Sequence, residues 1–400
     1  MSISSPSLAH PPLAATPRSM AVHNARIGAI DVMRGLVMLI MLIDHVRETI
    51  YLHLQVSDPM NVQTTEPALF FTRLAAHLCA PTFVFLTGLG AWLYANPPGA
   101  PPRSPAGFLF KRGLLLVVLE VTLVSFAWVG IFPMKTLYLQ VIWVIGLSMI
   151  VLSALCGLPR GWLAALGLAI VFGHNLLTPI HFRPDETGYA LWTVLHDRGF
   201  LVADGPLKVK VSYPLLPWIG TIVLGYVAGP LYAATTSPER RRALLLRLGM
   251  GCLLLLLVLR GFNIYGETLP WVPGEDATHT LMSWLNFTKY PPSLDFLLLT
   301  LGIAMLLMRF FENIDNALTE AIRCYGGAPM FFYLLHLYVL LVIQKLAVAT
   351  VGANHGDRFG VDHVAWVWGV AVLLAVLLYW PTRAFARYKR VSRRAWVRYF

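Results

Sequence analysis

Charge is what this sequence has least of. Aspartate, glutamate, lysine and arginine together make up 13% of its 400 residues, where soluble domains carry about 25%. With 57% of the residues apolar, the chain cannot cover a large soluble domain with solvated side chains, so it is read as an integral membrane protein of the all-α class. Cysteine is also scarce. Cys79, Cys156, Cys252 and Cys324 are scattered in or beside apolar segments and form no Cys-x-x-Cys pair, which argues against a disulfide framework or a zinc knot and leaves small core residues. His-Glu-x-x-His, a Walker loop and Gly-x-Ser-x-Gly are all missing, so metalloprotease, nucleotide-triphosphatase and serine-hydrolase chemistry have no anchor here. No ligand spacing ties His45, His77 and His336 into a metal site, and none is expected. No internal repeat is apparent, which removes one signature of a transporter.

The formal net charge of +11 does not point to nucleic acid. The basic residues lie in short loops and at the C-terminus, where the positive-inside rule places them. Residues 1–25 are rich in Ser, Pro and Ala and lack the apolar run of a signal peptide. They are read as a disordered cytoplasmic tail, residues 26–386 as one transmembrane domain, and residues 387–400 as a basic cytoplasmic tail. Ten segments have the length of about twenty residues needed to cross about 30 Å of hydrocarbon: 28–49, 74–95, 108–130, 138–156, 161–179, 213–234, 243–263, 292–310, 327–350 and 363–384. Arg240-Arg241-Arg242 and the run from Arg383 to Arg398 dominate the basic bias and put both termini in the cytoplasm. Three long segments, 50–73, 180–212 and 264–291, then lie outside, and long loops without evident secondary structure are often functional.

The first span carries the most information. It reads Arg26-Ile-Gly-Ala-Ile-Asp31-Val-Met-Arg34-Gly35-Leu-Val-Met-Leu-Ile-Met-Leu-Ile-Asp44-His45. An ion at bilayer depth costs several kcal/mol, so it faces a protein interior or a wet cavity. At about 100° per residue, Arg34 and His45 point within about 20° of each other, and Asp31 lies about 60° from Arg34. In the second span Arg73 and His77 share a face four residues apart. Glu120 falls in the middle of the third, where it would pair with Arg34 or be protonated. Lys289, Ser293 and Asp295 flank the entry to the eighth span, and Tyr333 and His336 share a face of the ninth. Prolines set the chain's entry into several spans, and Tyr and Trp beside them suit the membrane interface.

Asp31-x-x-Arg34-Gly35 followed by His45 resembles the start of the transmembrane acyltransferase superfamily. Ala80-Pro81-Thr82-Phe-Val-Phe-Leu-Thr87-Gly88, Leu139-Gln140-Val-Ile-Trp143, Tyr213-Pro214-Leu-Leu-Pro217-Trp218-Ile-Gly220, Thr288-Lys289-Tyr290-Pro291-Pro292-Ser293 and Pro329-x-x-Phe332-Tyr333-x-x-His336 narrow the resemblance. The chain is similar, over about residues 26–350, to bacterial relatives of the heparan-alpha-glucosaminide N-acetyltransferase catalytic domain. The resemblance implies transfer of an acetyl group from acetyl-CoA to a sugar hydroxyl or amine across the membrane, without a metal. It makes His45, His77, Asp31 and Arg34 the catalytic candidates. Lys111, Arg112, Arg240 and Arg241 become the candidates for CoA phosphates. Arg73, Lys289, Ser293, Tyr333 and His336 are candidates for the acceptor, a glycan or other small molecule, and Glu120 is a buried structural charge. The heparan enzyme has asparagine where this chain has His45, and its catalytic histidine lies in the first luminal loop, where this chain has Val56, with His53 three residues away. His45 matches instead the helix-end histidine of the polysaccharide acyltransferases. The partners implied are the lipid bilayer of the bacterial inner membrane and acyl-CoA, and a homodimer is compatible with this reading. A proton-coupled transporter, with Asp31, Arg34, Glu120 and His336 as relay, is the rival, and a scaffold that binds acyl-CoA without turnover is a third. The topology is testable: phosphatase or fluorescent reporters fused at residues 60, 195 and 280 should report outside, and those at 103, 240 and 390 inside. A C-terminal reporter facing outward would refute the even count of crossings.

Overall fold

The structure is a computed structural model that describes residues 17–394, 396, 397 and 400. The expected tail over residues 1–16 lies outside the described residues. Helix α1, Pro17–Ile50, begins inside the segment expected to be tail. After it come α2 (Pro67–Ala95), α3 (Ala106–Val129), strand β1 (Thr136–Leu139), α4 (Val141–Leu155), α5 (Arg160–Leu177), α6 (Tyr189–Leu195), β2 (Gly199–Val202) and β3 (Lys208–Val211). The rest is helical: α7 (Leu216–Tyr232), α8 (Pro238–Gly261), α9 (Ala277–Trp284), α10 (Leu294–Phe311), α11 (Ala317–Gly327), α12 (Pro329–Thr350) and α13 (Val364–Val391).

Ten of these helices sit where the ten apolar segments were expected, but fewer qualify as crossings. Seven, namely α2, α3, α5, α8, α10, α12 and α13, are long and apolar enough to cross a membrane. Helices α4 and α7 are apolar but shorter. Helix α1 is 34 residues long but carries Asp31, Arg34, Asp44, Arg47 and Glu48 within its apolar stretch. The fourth expected span, 138–156, begins too early, because Thr136–Leu139 is a strand. It pairs in parallel with β3, which pairs antiparallel with β2, giving the order β1-β3-β2. The alternation Lys208-Val-Lys210-Val211 suits such a half-covered ribbon. Helix α11 lies in a stretch expected to be a plain inner connection. Its N-terminus is closed by a capping box between Asn316 and Thr319.

Inside a bilayer, helices gain little by hiding apolar surface from one another, so small residues that let backbones touch decide which helices pair. Three crossings here are of that kind. A Cβ on Gly35 of α1 would lie 1.9 Å from the Ile322 carbonyl oxygen of α11, and one on Gly326 would lie 1.8 Å from the Asp31 oxygen. On α2 and α7, Gly88 would meet the Ile222 oxygen at 1.9 Å and Gly225 the Phe85 oxygen at 2.1 Å. On α3 and α4, Gly113 and Gly146 face each other's carbonyls at 2.5 and 2.7 Å. The cysteines are unpaired small residues of this packing, and Cys79 and Cys324 are buried.

Overpacking a tight crossing costs about 1–3 kcal/mol or more. Gly326→Ala should therefore lower the thermal midpoint and the monodisperse yield in detergent. Gly251→Ala, on an open face of α8, should leave both unchanged. Equal behaviour of the two variants in a heated size-exclusion assay would refute the contact.

Candidate active site

A cavity of about 700 Å³ runs through the helices, within the range usual for small-molecule sites. Along α1 it is lined by Arg34, Met38, Met41, Asp44, His45 and Glu48, the single helical face on which Arg34 and His45 were aligned by periodicity. From Arg34 to Glu48 that face covers about 21 Å at 1.5 Å per residue. The middle is apolar and rich in methionine, with Met38, Met41, Met149 and Met330 beside Phe83 and Ile145.

Both ends are cationic. At one end stand Arg34, Arg112 and Lys389. Arg34 pairs with Asp31 at 3.0 Å, whereas Arg112 and Lys389 have no ion-pair partner among the described residues. Tyr94 and Phe108, stacked at 4.4 Å between centroids, line the same end. Arg198, Lys210, Lys289 and Arg358 line the other end together with Tyr213 and Tyr290. Here the half-buried Asp58 carboxylate accepts the backbone N–H groups of Lys289 and Tyr290, at 3.2 and 2.9 Å, and pins this turn. Burial pushes the Asp58 carboxyl above its ordinary range, against the charges of Arg73 and Lys289. Burial would also raise the Tyr290 phenol, but the charges of Lys289 and Arg73 prevail and hold it below its ordinary value.

At the level of His45 the structure is fixed by a buried ionic knot. Asp44 accepts Arg47 Nε at 2.9 Å and Arg73 Nη1 at 2.7 Å, so one carboxylate ties α1 to α2. Arg47 also reaches Glu48 at 2.9 Å. The next residue, His45, turns into the cavity. Its Nδ1 lies 2.7 Å from Nε2 of His336, whose own Nδ1 lies 2.7 Å from the Phe332 carbonyl oxygen. Trp128 and Tyr333 meet the His45 ring edge-on, at 5.0 and 5.7 Å between centroids, and both line the cavity.

The structure thus gathers His45, Arg34, Arg112, Lys289 and Tyr333 around one cavity, with His336 and Arg73 directly behind it. It separates others from it. His77 is buried against Phe296 and does not line the cavity, because its face of the helix turns toward α10. Asp31 holds Arg34 from behind. Lys111 is exposed, one residue off the inward face that presents Arg112. Arg240 is exposed, and Arg241 is spent on Glu312 of the neighbouring helix end, so neither is near the lining. Ser293 caps α10, accepting from Phe296 N and donating to Glu267 at 2.7 Å. Asp295 is buried away from the cavity, with both carboxylate oxygens unpartnered among the described residues. His53 stacks on His355 at 3.7 Å, outside the lining.

Glu120 does not pair with Arg34. It accepts the backbone N–H of Trp143 at 3.0 Å, one of the donors at the start of α4 that have no partner within the helix, and sits where α3 widens into a π-turn over Glu120–Val124. The transport relay is therefore not assembled. Arg34 bonds Asp31, Glu120 bonds α4, and His336 bonds His45.

Sequence reasoning missed Asp44 as a hub, and also Trp128, Arg198, Lys210, Arg358 and Lys389. Lys389 lay hidden in the run expected to be a tail. Tyr290 was visible only as part of the Lys-Tyr-Pro-Pro stretch. Among the described residues, no three of His, Cys, Asp and Glu gather as a metal-ligand set.

Compared with known families, residues 26–259 match the family model described as heparan-alpha-glucosaminide N-acetyltransferase, catalytic. A search of curated proteins gives no match. The matched segment holds His45, Arg73, Arg112 and Tyr213, whereas Lys289, Tyr333, His336 and Lys389 lie beyond it.

Removing one partner of a buried ionic group costs about 3–5 kcal/mol, because the remaining charge is left uncompensated. Asp44→Ala leaves Arg73 without its ion pair and Arg47 with Glu48 alone. It should abolish monodisperse protein after mild heating, while Asp31→Ala, in a partly exposed pair, should lose less. Wild-type stability of Asp44→Ala would refute the knot.

Proposed function

The chain belongs to the heparan-alpha-glucosaminide N-acetyltransferase catalytic family, and on that footing we propose that it carries an acetyl group from acetyl-CoA to a sugar hydroxyl or amine through the cavity, with His45 as the base. The observation that carries this reading is the position of His45, an imidazole facing a cavity whose two ends are both cationic. The basic bias of the sequence puts the Arg112 and Lys389 end in the cytoplasm of a bacterial inner membrane and the Lys289 end outside. Residues 26–386, together with Lys389, then act as one catalytic unit.

The residues present suit the donor. Arg34, Arg112 and Lys389 would take CoA phosphates by charge-assisted hydrogen bonds, and the Tyr94–Phe108 pair offers aromatic surface beside them. Bound acetyl-CoA supplies an electrophilic acetyl carbonyl. The methionine-rich waist between the ends keeps water scarce, which strengthens the electrostatic interactions within it. At the far end Glu48, Tyr213 and Tyr290 can bond sugar hydroxyls. Arg198, Lys210, Lys289 and Arg358 would hold acidic substituents. His45 accepts the proton of the attacking hydroxyl or amine as the general base. It then gives that proton to the departing thiolate, so the products are acetylated acceptor and free thiol. Tyr333, Trp128 and Lys289 supply donors near the imidazole for the developing oxyanion. No observation favours transport.

The test uses purified protein in nanodiscs with acetyl-CoA and a panel of glucosamine and uronic-acid sugars, following thiol release and acetylated sugar. Wild type should turn over with at least one acceptor. His45→Ala should fold and still bind acetyl-CoA, but lose transfer by about 10²–10⁴. Turnover by His45→Ala within about threefold of wild type would overturn the assignment.

A further inference from the structure

His336 is fully buried, lies outside the family match and does not line the cavity, yet it makes a 2.7 Å bond to His45. Its two nitrogens have different partners, and one of them decides the proton positions. The Phe332 carbonyl oxygen can only accept, so His336 Nδ1, 2.7 Å away, must carry a proton and donate it. A second proton on this ring would bury a cation that has no acidic partner among the described residues, so the ring is neutral. Nε2 of His336 is then a lone pair and can only accept. The hydrogen on the His45–His336 bond must therefore come from His45 Nδ1. In neutral His45 that leaves Nε2 unprotonated, on the ring that faces the cavity.

We infer that His336 is a positioning residue that fixes the tautomer of His45, so that Nε2 is the nitrogen which takes the acceptor's proton. The chain of donors runs from His45 Nδ1 to His336 Nε2, and from His336 Nδ1 to the Phe332 carbonyl. It starts on α1 and ends on the backbone of α12. A helix carbonyl thus does what a buried carboxylate does in a serine-protease triad, setting which nitrogen is basic, and in that triad the wrong tautomer costs about 10⁴ in rate. When His45 becomes doubly protonated, Nδ1–H keeps its acceptor, so the positive ring retains its bond to His336 without any group having to turn. Trp128 and Tyr333 pack on the ring and prevent the flip that would exchange the two nitrogens.

This inference rests on His45 being the base, and the experiment separates the two. Histidine-selective ¹⁵N labelling of wild type in nanodiscs, with His45→Gln to assign the signals, reads the tautomer without any turnover. The expected spectrum has His45 Nδ1 protonated and Nε2 unprotonated at neutral pH. A protonated Nε2 would overturn the inference whatever the activity. In kinetics, His336→Leu should lower kcat by about 10²–10⁴ with KM for acetyl-CoA within about threefold. His336→Gln, whose amide oxygen can accept from Nδ1, should recover at least about tenfold over the leucine variant and restore the wild-type spectrum. An inactive His45→Ala alongside a fully active His336→Leu would sink this role alone, whereas an active His45→Ala would sink the functional reading beneath it.

Discussion

A single carboxylate shared by two arginines holds this site together. Asp44 is buried between Arg47 of its own helix and Arg73 of the next. Arg73 has its ion pair with that charge, and Arg47 shares itself between it and Glu48. Because the bond crosses from α1 to α2, it fixes both the height and the rotation of α1 at the residue before His45. The imidazole is therefore positioned by an ionic contact of the adjacent residue, not by the packing of its own ring alone. The Asp58 clasp on the Lys289–Tyr290 turn faces the same region, so the far end of the cavity is set by the same balance of charges.

The two ends of the cavity differ in how their cations are held. Arg34 is restrained by Asp31, and Lys389 donates to the Gly327 carbonyl at 3.1 Å, so that end is preorganised by contacts to α1 and α11. At the other end Arg198 and Lys289 sit over the face of Tyr290, at 4.8 and 5.3 Å. An aromatic face attracts a cation without neutralising it, so these charges remain available to a ligand. The waist between has no such groups.

Much of this was legible in the sequence because helical periodicity is strict. A stripe at Arg34, Met38, Met41 and His45 can face only one way, and the cavity lies along it. The ten apolar segments were legible for the same reason, although α1 is too charged, and α4 and α7 too short, to count as crossings by composition alone. What failed was partner choice. Glu120 and Arg34 are intramembrane charges of opposite sign, but a sequence does not say that a backbone N–H at the start of α4 will reach the carboxylate first. Arg240-Arg241-Arg242 looked like a phosphate site, yet Arg241 and Arg242 are used to tie the start of α8 to Glu312 and Asn313. Lys389 was hidden by its neighbours, since one lysine in a basic run looks like the rest. The small sheet escaped because its strands are four residues long and β1 lies far in sequence from its partner β3.

The glycine crossings have a mechanical consequence. Where two backbones already touch, as at Gly113 and Gly146 or Gly88 and Gly225, the helices can approach no further and have no side chains between them to compress. Such a point acts as a fulcrum. The arms on either side of it carry the cavity lining, with Arg112, Leu109 and Leu116 on α3 opposite Ile142, Ile145 and Met149 on α4. The spacing of these two linings is set at the crossing by backbone contact, not by side chains that could be compressed.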